Sequence, residues 1–81
     1  MTPDPADPRT RLNNFCQHLK LTLTFGLEET GPQNQPEWKS VAYINDVEYG
    51  RGSGSTKGDA KKVAAEAALT QMKKQYPGYH F

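Results

Sequence analysis

Between residues 9 and 20 the apolar side chains Leu12, Phe15, Cys16 and Leu19 recur at i, i+3, i+4 and i+7, the spacing that lines one face of a helix. The opposite face carries Arg9, Arg11, Asn13, Asn14 and Gln17, a set that reads equally well as plain solvation or as a contact surface. The period then changes to two. From 21 to 29, Leu21, Leu23, Phe25 and Leu27 alternate with Thr22, Thr24, Gly26 and Glu28, the pattern of a half-buried strand. A polar stretch, 30–37, interrupts it. Trp38, Val41, Tyr43 and Ile44 mark a second strand over 38–45, Asn45-Asp46 is a tight-turn pair, and a third strand returns over 47–53. From 56 to 75 the period reverts to that of a helix: Ala60, Ala64, Ala65, Ala68, Leu69 and Met72 form an apolar stripe, with Lys62, Glu66, Thr70 and Lys73 opposite. A Pro-Gly pair after Tyr76 ends it, and the aromatic tail that follows either packs back on the core or stays free.

Loops this short force neighbouring strands to pair as hairpins, and both helices must cover the same apolar sheet face to share one core. The expected fold class is therefore α+β: α-β-β-β-α, a three-stranded antiparallel sheet with two helices packed on one face. The boundaries expected are a disordered lead-in over 1–8, rich in proline and poor in anything to bury, one domain over 9–75, and a tail over 76–81.

Composition narrows the reading further. An 81-residue chain is expected to hold one small domain that buries about 60 to 65% of its unfolded surface. The formal net charge is only +1, but it is unevenly placed. Residues 1–50 carry four Lys/Arg against seven Asp/Glu, and residues 51–81 carry six against two, so any anionic partner is expected at the last third. The one cysteine, Cys16, permits no internal disulfide and reads as a buried core thiol; with only His18 and His80 beside it, neither a metal site nor a cofactor is expected. No apolar run approaches the roughly 18 residues that span a bilayer, and an acidic, proline-rich start is unlike a secretory signal. No membrane partner and a cytoplasmic or nuclear location are the corresponding expectations.

The stretch 50–72 concentrates the candidate chemistry. Glycines at 50, 52 and 54 suggest tight turning and close approach to a partner, and Ser55 or Thr56 is placed to cap the helix that follows. The free N–H groups and positive dipole end of that helix favour an anion, and Lys57, Lys61 and Lys62 add charge there although lysine opposes the dipole at a helix start. A ligand phosphate accounts for that placement. A nucleotide-binding loop does not fit, because the hydroxyls of Ser55-Thr56 precede Lys57 where a Walker loop has them after it, and a dinucleotide fingerprint begun at Gly52 meets Lys57 at a glycine position. The carboxylates are scattered and neither histidine has a nucleophile partner, so the chain is not expected to be an enzyme.

The run Gly52-Ser-Gly-Ser-Thr-Lys-Gly-Asp-Ala-Lys-Lys-Val-Ala-Ala-Glu-Ala-Ala-Leu69 resembles the signature of the double-stranded RNA-binding domain family, and Leu12-Asn13, Gly31-Pro32 and Trp38 extend the likeness over roughly 9–74. The resemblance implies double-stranded RNA as partner, with three contact regions spanning two successive minor grooves and the major groove between them. Asn13, Asn14 and Gln17 would meet one minor groove and Gln33, Asn34, Gln35 and Pro36 the next, while Lys57, Lys61 and Lys62, beside the Thr56 cap, would hold phosphates. This sequence departs from the family pattern at Asn14, where glutamate is common, at Asn34, where histidine is common, and at Gly58-Asp59, where the middle lysine of a trio is replaced and an acid follows. The alternative it leaves open is a member turned toward another protein or a second copy of itself.

Overall fold

In the computed structural model, residues 6–78 are described; what the sequence leads one to expect of 1–5 and 79–81 lies outside them. The order is α1 (Pro8–His18), β1 (Leu23–Thr30), β2 (Glu37–Ile44), β3 (Val47–Gly54) and α2 (Lys57–Gln75). The strands form one antiparallel sheet in the order β1-β2-β3. Both helices cover one of its faces, with α2 on β3 and β2 and α1 against α2. The expected fold class is the one observed.

Helix α1 begins one residue earlier than expected. Asp7 has extended backbone, its carboxylate accepts the Arg9 amide at 2.8 Å, and Pro8 takes the first helical position, where its missing N–H costs nothing. Asp7 and Pro8 thus belong to the helix start rather than to a lead-in. The helix also stops earlier, at His18 instead of residue 20. Lys20 sits at φ 59°, the Lys20 amide donates to the Gln17 carbonyl at 3.1 Å, and the Leu21 amide donates to the Cys16 carbonyl at 2.7 Å. That pair of bonds is a Schellman end with lysine where glycine is usual.

The core face of α1 is the one its period indicates: Leu12, Phe15 and Cys16 are buried and Leu19 is half-buried against them. On the sheet, Leu23 and Phe25 pair with Ile44 and Ala42 and close the core. Strict alternation corrects the reading of β2. Ser40, Ala42 and Ile44 face the helices, whereas Val41 and Tyr43, counted among the strand's apolar markers, lie on the opposite face. At the turn, Asn45 and Asp46 both have positive φ (52° and 65°), the pair required by a two-residue hairpin. Asn45 also clamps Thr22, donating its amide to the Thr22 carbonyl (2.8 Å) and accepting the Thr22 amide on its side chain (2.9 Å).

The glycines of β3 have a different role from the one expected. Gly50, Gly52 and Gly54 lie within a strand and not in a turn, and what approaches them is the protein's own α2. A Cβ on Gly50 would stand 2.4 Å from the Ala68 nitrogen and 2.5 Å from the Ala64 carbonyl oxygen. Bare backbone on β3 and the alanine stripe of α2, all buried as the stripe predicts, set the helix directly on the sheet. Tyr49, the extra residue of a bulge opposite Ala42 and Tyr43, packs on the core and donates its hydroxyl to Gln75 at 2.9 Å. After α2, Tyr76 meets Phe15 edge-on, with centroids 5.7 Å apart, so this residue of the tail touches the core while staying exposed.

Candidate nucleic-acid interface

The amino end of α2 rests on Thr56, whose extended backbone (φ −132°, ψ 162°) and side-chain oxygen make it the cap; it accepts the Asp59 amide at 3.1 Å. Ser55 donates its hydroxyl to the Asp59 carboxylate at 3.4 Å. Asp59 therefore completes the helix start, placing a carboxylate where the dipole favours one. The lysines are held outward around it.

They do not form a single cluster. Lys57 and Lys61, four residues apart, share one flank of α2 and lean toward the sheet: the Lys57 ammonium lies 4.9 Å from the centre of the Trp38 ring, and the Lys61 ammonium 6.0 Å from that of Phe25. Lys62, about 100° further round the helix, faces the start of α1, where its charge helps hold the Asp7 carboxyl low. The chief cause of that depression, to about 2, is the hydrogen bond from the Arg9 side chain. Arg9 grips Asp7 with two donors, Nε at 3.0 Å and Nη2 at 2.6 Å, and Nη1 reaches the Gly58 carbonyl at 3.4 Å.

Asn13, Asn14 and Gln17 stand exposed on α1, away from its buried side. The turn between β1 and β2, 31–36, is closed by the Gln35 amide on the Pro32 carbonyl at 3.0 Å, begins at Gly31 with φ 91°, and leaves Gln33, Asn34, Gln35 and Pro36 exposed. Among the described residues no hydrogen bond links these amide side chains to one another or to the lysines. The sequence-derived residues thus occupy three separate outward regions on one core: the polar face of α1, the 31–36 turn and the start of α2.

Two participants escaped the sequence reading. Phe25 was expected only as a core residue, yet its ring also underlies Lys61. Arg9 was placed on the polar face of α1, and a contact across 49 residues of chain has no local signal. A depression of about 460 Å³ beside β2 and β3, lined by Glu28, Lys39, Val41, Arg51, Ser53 and Val63 among others, holds none of the candidate contact residues. Among the described residues no group of three His, Cys, Asp or Glu converges as a metal-ligand set, and no helix is long and apolar enough to cross a membrane. Cys16 is buried, and that burial raises its thiol pKa, which makes it a poor nucleophile.

The fold recurs among known proteins. The chain is 33% identical over 67 residues to RNA-binding protein OPG065 of Vaccinia virus (strain Copenhagen), a match covering 83% of this chain and 35% of that protein. It is 38% identical over 68 residues to Ribonuclease 3 of Chloroflexus aggregans, covering 82% of this chain and 29% of that enzyme. The chain therefore spans about a third of the length of the curated relatives it matches. Among solved structures, that of Arabidopsis HYL1, studied for its implications for miRNA processing, superimposes with a TM-score of 0.72 at 25% identity, over 80% of this chain and 94% of that one. The family model described as "Double-stranded RNA binding motif" matches residues 8–72, from the first residue of α1 to the last buried residue of α2. The chain belongs to the double-stranded RNA-binding motif family.

Proposed function

We propose that this chain is a double-stranded RNA-binding module that recognises the A-form shape of a duplex with little regard to base sequence. The observation that carries the reading is the cationic start of α2, where Lys57 and Lys61 are held on aromatic rings and project from a helix end that favours anions. Duplex RNA presents phosphates across its narrow major groove and 2′-hydroxyls along its wide minor groove, and modules of this family span about 16 base pairs. In this reading Lys57, Lys61 and Lys62 neutralise phosphates. Asn13, Asn14 and Gln17 on α1 meet one minor groove, and Gln33 to Gln35, flanked by Pro36, meet the next; amide side chains suit that task because they both donate to and accept from a hydroxyl. Thr56 fixes the helix end from which the lysines extend. The names of relatives that bind or cut RNA support the same partner.

A titration with duplex RNA, duplex DNA of the same sequence and single strands, each at two salt concentrations, tests the proposal. Duplex RNA should bind most tightly, different RNA sequences should bind alike, and affinity should fall as salt rises. Equal affinity for DNA and RNA duplexes would remove the hydroxyl-reading role of α1 and the 31–36 turn. No binding to any duplex would transfer the site to the alternative, contact with another protein or a second copy.

A further inference from the structure

Along the start of α2 the charges run Lys57, Gly58, Asp59, Lys61, Lys62, so the position between the outward lysines has no side chain and an acid follows it. The space over Gly58 is nevertheless taken. A Cβ built on Gly58 would stand 3.2 Å from Nη1 of Arg9, and the same nitrogen donates to the Gly58 carbonyl at 3.4 Å. The guanidinium arrives from α1 and lies on α2 where a side chain at 58 would begin. Of its five N–H groups, Asp7 engages two and the Gly58 carbonyl one, which leaves two, on a side chain that is 42% exposed.

We propose that Arg9 completes the cationic front of α2: its guanidinium, seated over Gly58, donates its two remaining N–H groups to a duplex phosphate between those met by the lysines. This rests on the reading of the chain as a duplex-RNA module. The fork geometry suits the task, since a guanidinium serves one carboxylate and still addresses a phosphate with its other edge. Asp7 then has two effects of opposite sign. It orients the guanidinium through its two bonds, and its negative charge opposes the phosphate that Arg9 is to hold.

That opposition separates a phosphate ligand from a mere tie between the helices. Binding to a duplex RNA of about 16 base pairs is measured against salt for the parent, Arg9→Gln, Arg9→Lys and Asp7→Asn, with unfolding monitored by circular dichroism. Arg9→Gln should weaken binding roughly threefold to tenfold and make the slope of log K against log salt shallower by about 0.9, as one fewer counterion is released. Arg9→Lys should keep the parent slope. Asp7→Asn keeps a good cap, removes the opposing charge and should tighten binding by about twofold or more. A tie without a phosphate role predicts the reverse: Arg9→Gln lowers the melting temperature with the salt slope unchanged, and Asp7→Asn does not tighten binding. Either result overturns the proposal. If Arg9→Gln fails to fold, Gly58→Lys decides in its place. Its new side chain crowds the guanidinium, whose Nη1 lies 3.2 Å from the added Cβ, so the two cations compete for one phosphate; the variant should add less than one counterion to the slope, and a full added counterion overturns the proposal. A parent chain that binds no duplex RNA overturns the proposal together with the reading beneath it, whereas a binding parent with indifferent Arg9 variants overturns the proposal alone.

Discussion

Arg9 and Asp7 show how much one residue pair can place beyond its own element. Asp7 ends the chain's approach to α1 by capping it, and through Arg9 it fixes that end against α2. Its pKa is lowered from 3.8 to about 2, first by the Arg9 side-chain bond, so the sign of its pH effect follows. A depressed carboxyl stabilises the folded state above its unfolded pKa and loses that contribution as pH falls through the folded value. Unfolding measured from about pH 5 down to about pH 2 should therefore show stability falling below about pH 4, and Asp7→Asn should flatten the fall in that window. An equally steep fall in the variant would place the titrating group elsewhere. Single residues were also the scale at which the sequence was least legible. Asn45-Asp46 announced its turn because both types tolerate positive φ, but Lys20 adopts φ 59° with no such signal. What forces it is the closing of α1 by Leu21 as that side chain enters the core, a tertiary demand that outweighs a cost of about 1 kcal/mol.

At the scale of elements the sequence was legible almost throughout, because each change of period marks a change of element and the alanine stripe of α2 is the buried stripe observed. Within β3 the exception is the glycines, whose cause is the closeness of α2: Gly50 and Gly52 look weak for a strand, and the helix backbone lying on them explains their size. Gly50→Ala should accordingly destabilise the fold by about 3 kcal/mol or more, at the upper end of overpacking because the obstacle is backbone that cannot swing aside; chemical denaturation gives the value, and a loss under about 1 kcal/mol would mean that α2 lifts off easily. The lysines of α2 obey a different balance. Removing Lys57 relieves an unfavourable dipole term of a few tenths of a kcal/mol but forfeits a contact on Trp38 worth about 0.5–1 kcal/mol at an exposed site. Lys57→Ala should thus leave stability slightly lower, by less than about 1 kcal/mol, while duplex affinity falls and the salt slope becomes shallower by about 0.9. Lys73→Ala, at the other end of the helix, should change the slope little; an equal change there would remove the phosphate role from the helix start.

The whole molecule is a flat body of 44 × 30 × 18 Å, and its candidate contacts are distributed over it rather than gathered in a cleft. Such a layout has a consequence that no single residue carries. If α1, the start of α2 and the 31–36 turn all engage one duplex, the core that joins them acts as a rigid linker, and each region binds at the high effective concentration set by the others. Affinity should then depend on duplex length in a stepwise way. On a duplex of about 16 base pairs, long enough for both minor grooves, replacing Gln33, Asn34 and Gln35 together by alanine should weaken binding by roughly tenfold, about 1.4 kcal/mol for a group of exposed amide contacts. On a duplex of about half that length only one minor groove and its adjoining phosphates are within reach. The parent should bind it much more weakly, and the same triple replacement should then cost almost nothing, while Lys57→Ala still costs what it did on the longer duplex. The length dependence of the turn's effect, set against the constancy of the lysine's, measures simultaneous engagement directly. A triple replacement that costs the same on both lengths would mean that the turn and the helix start are not reading two places on one duplex.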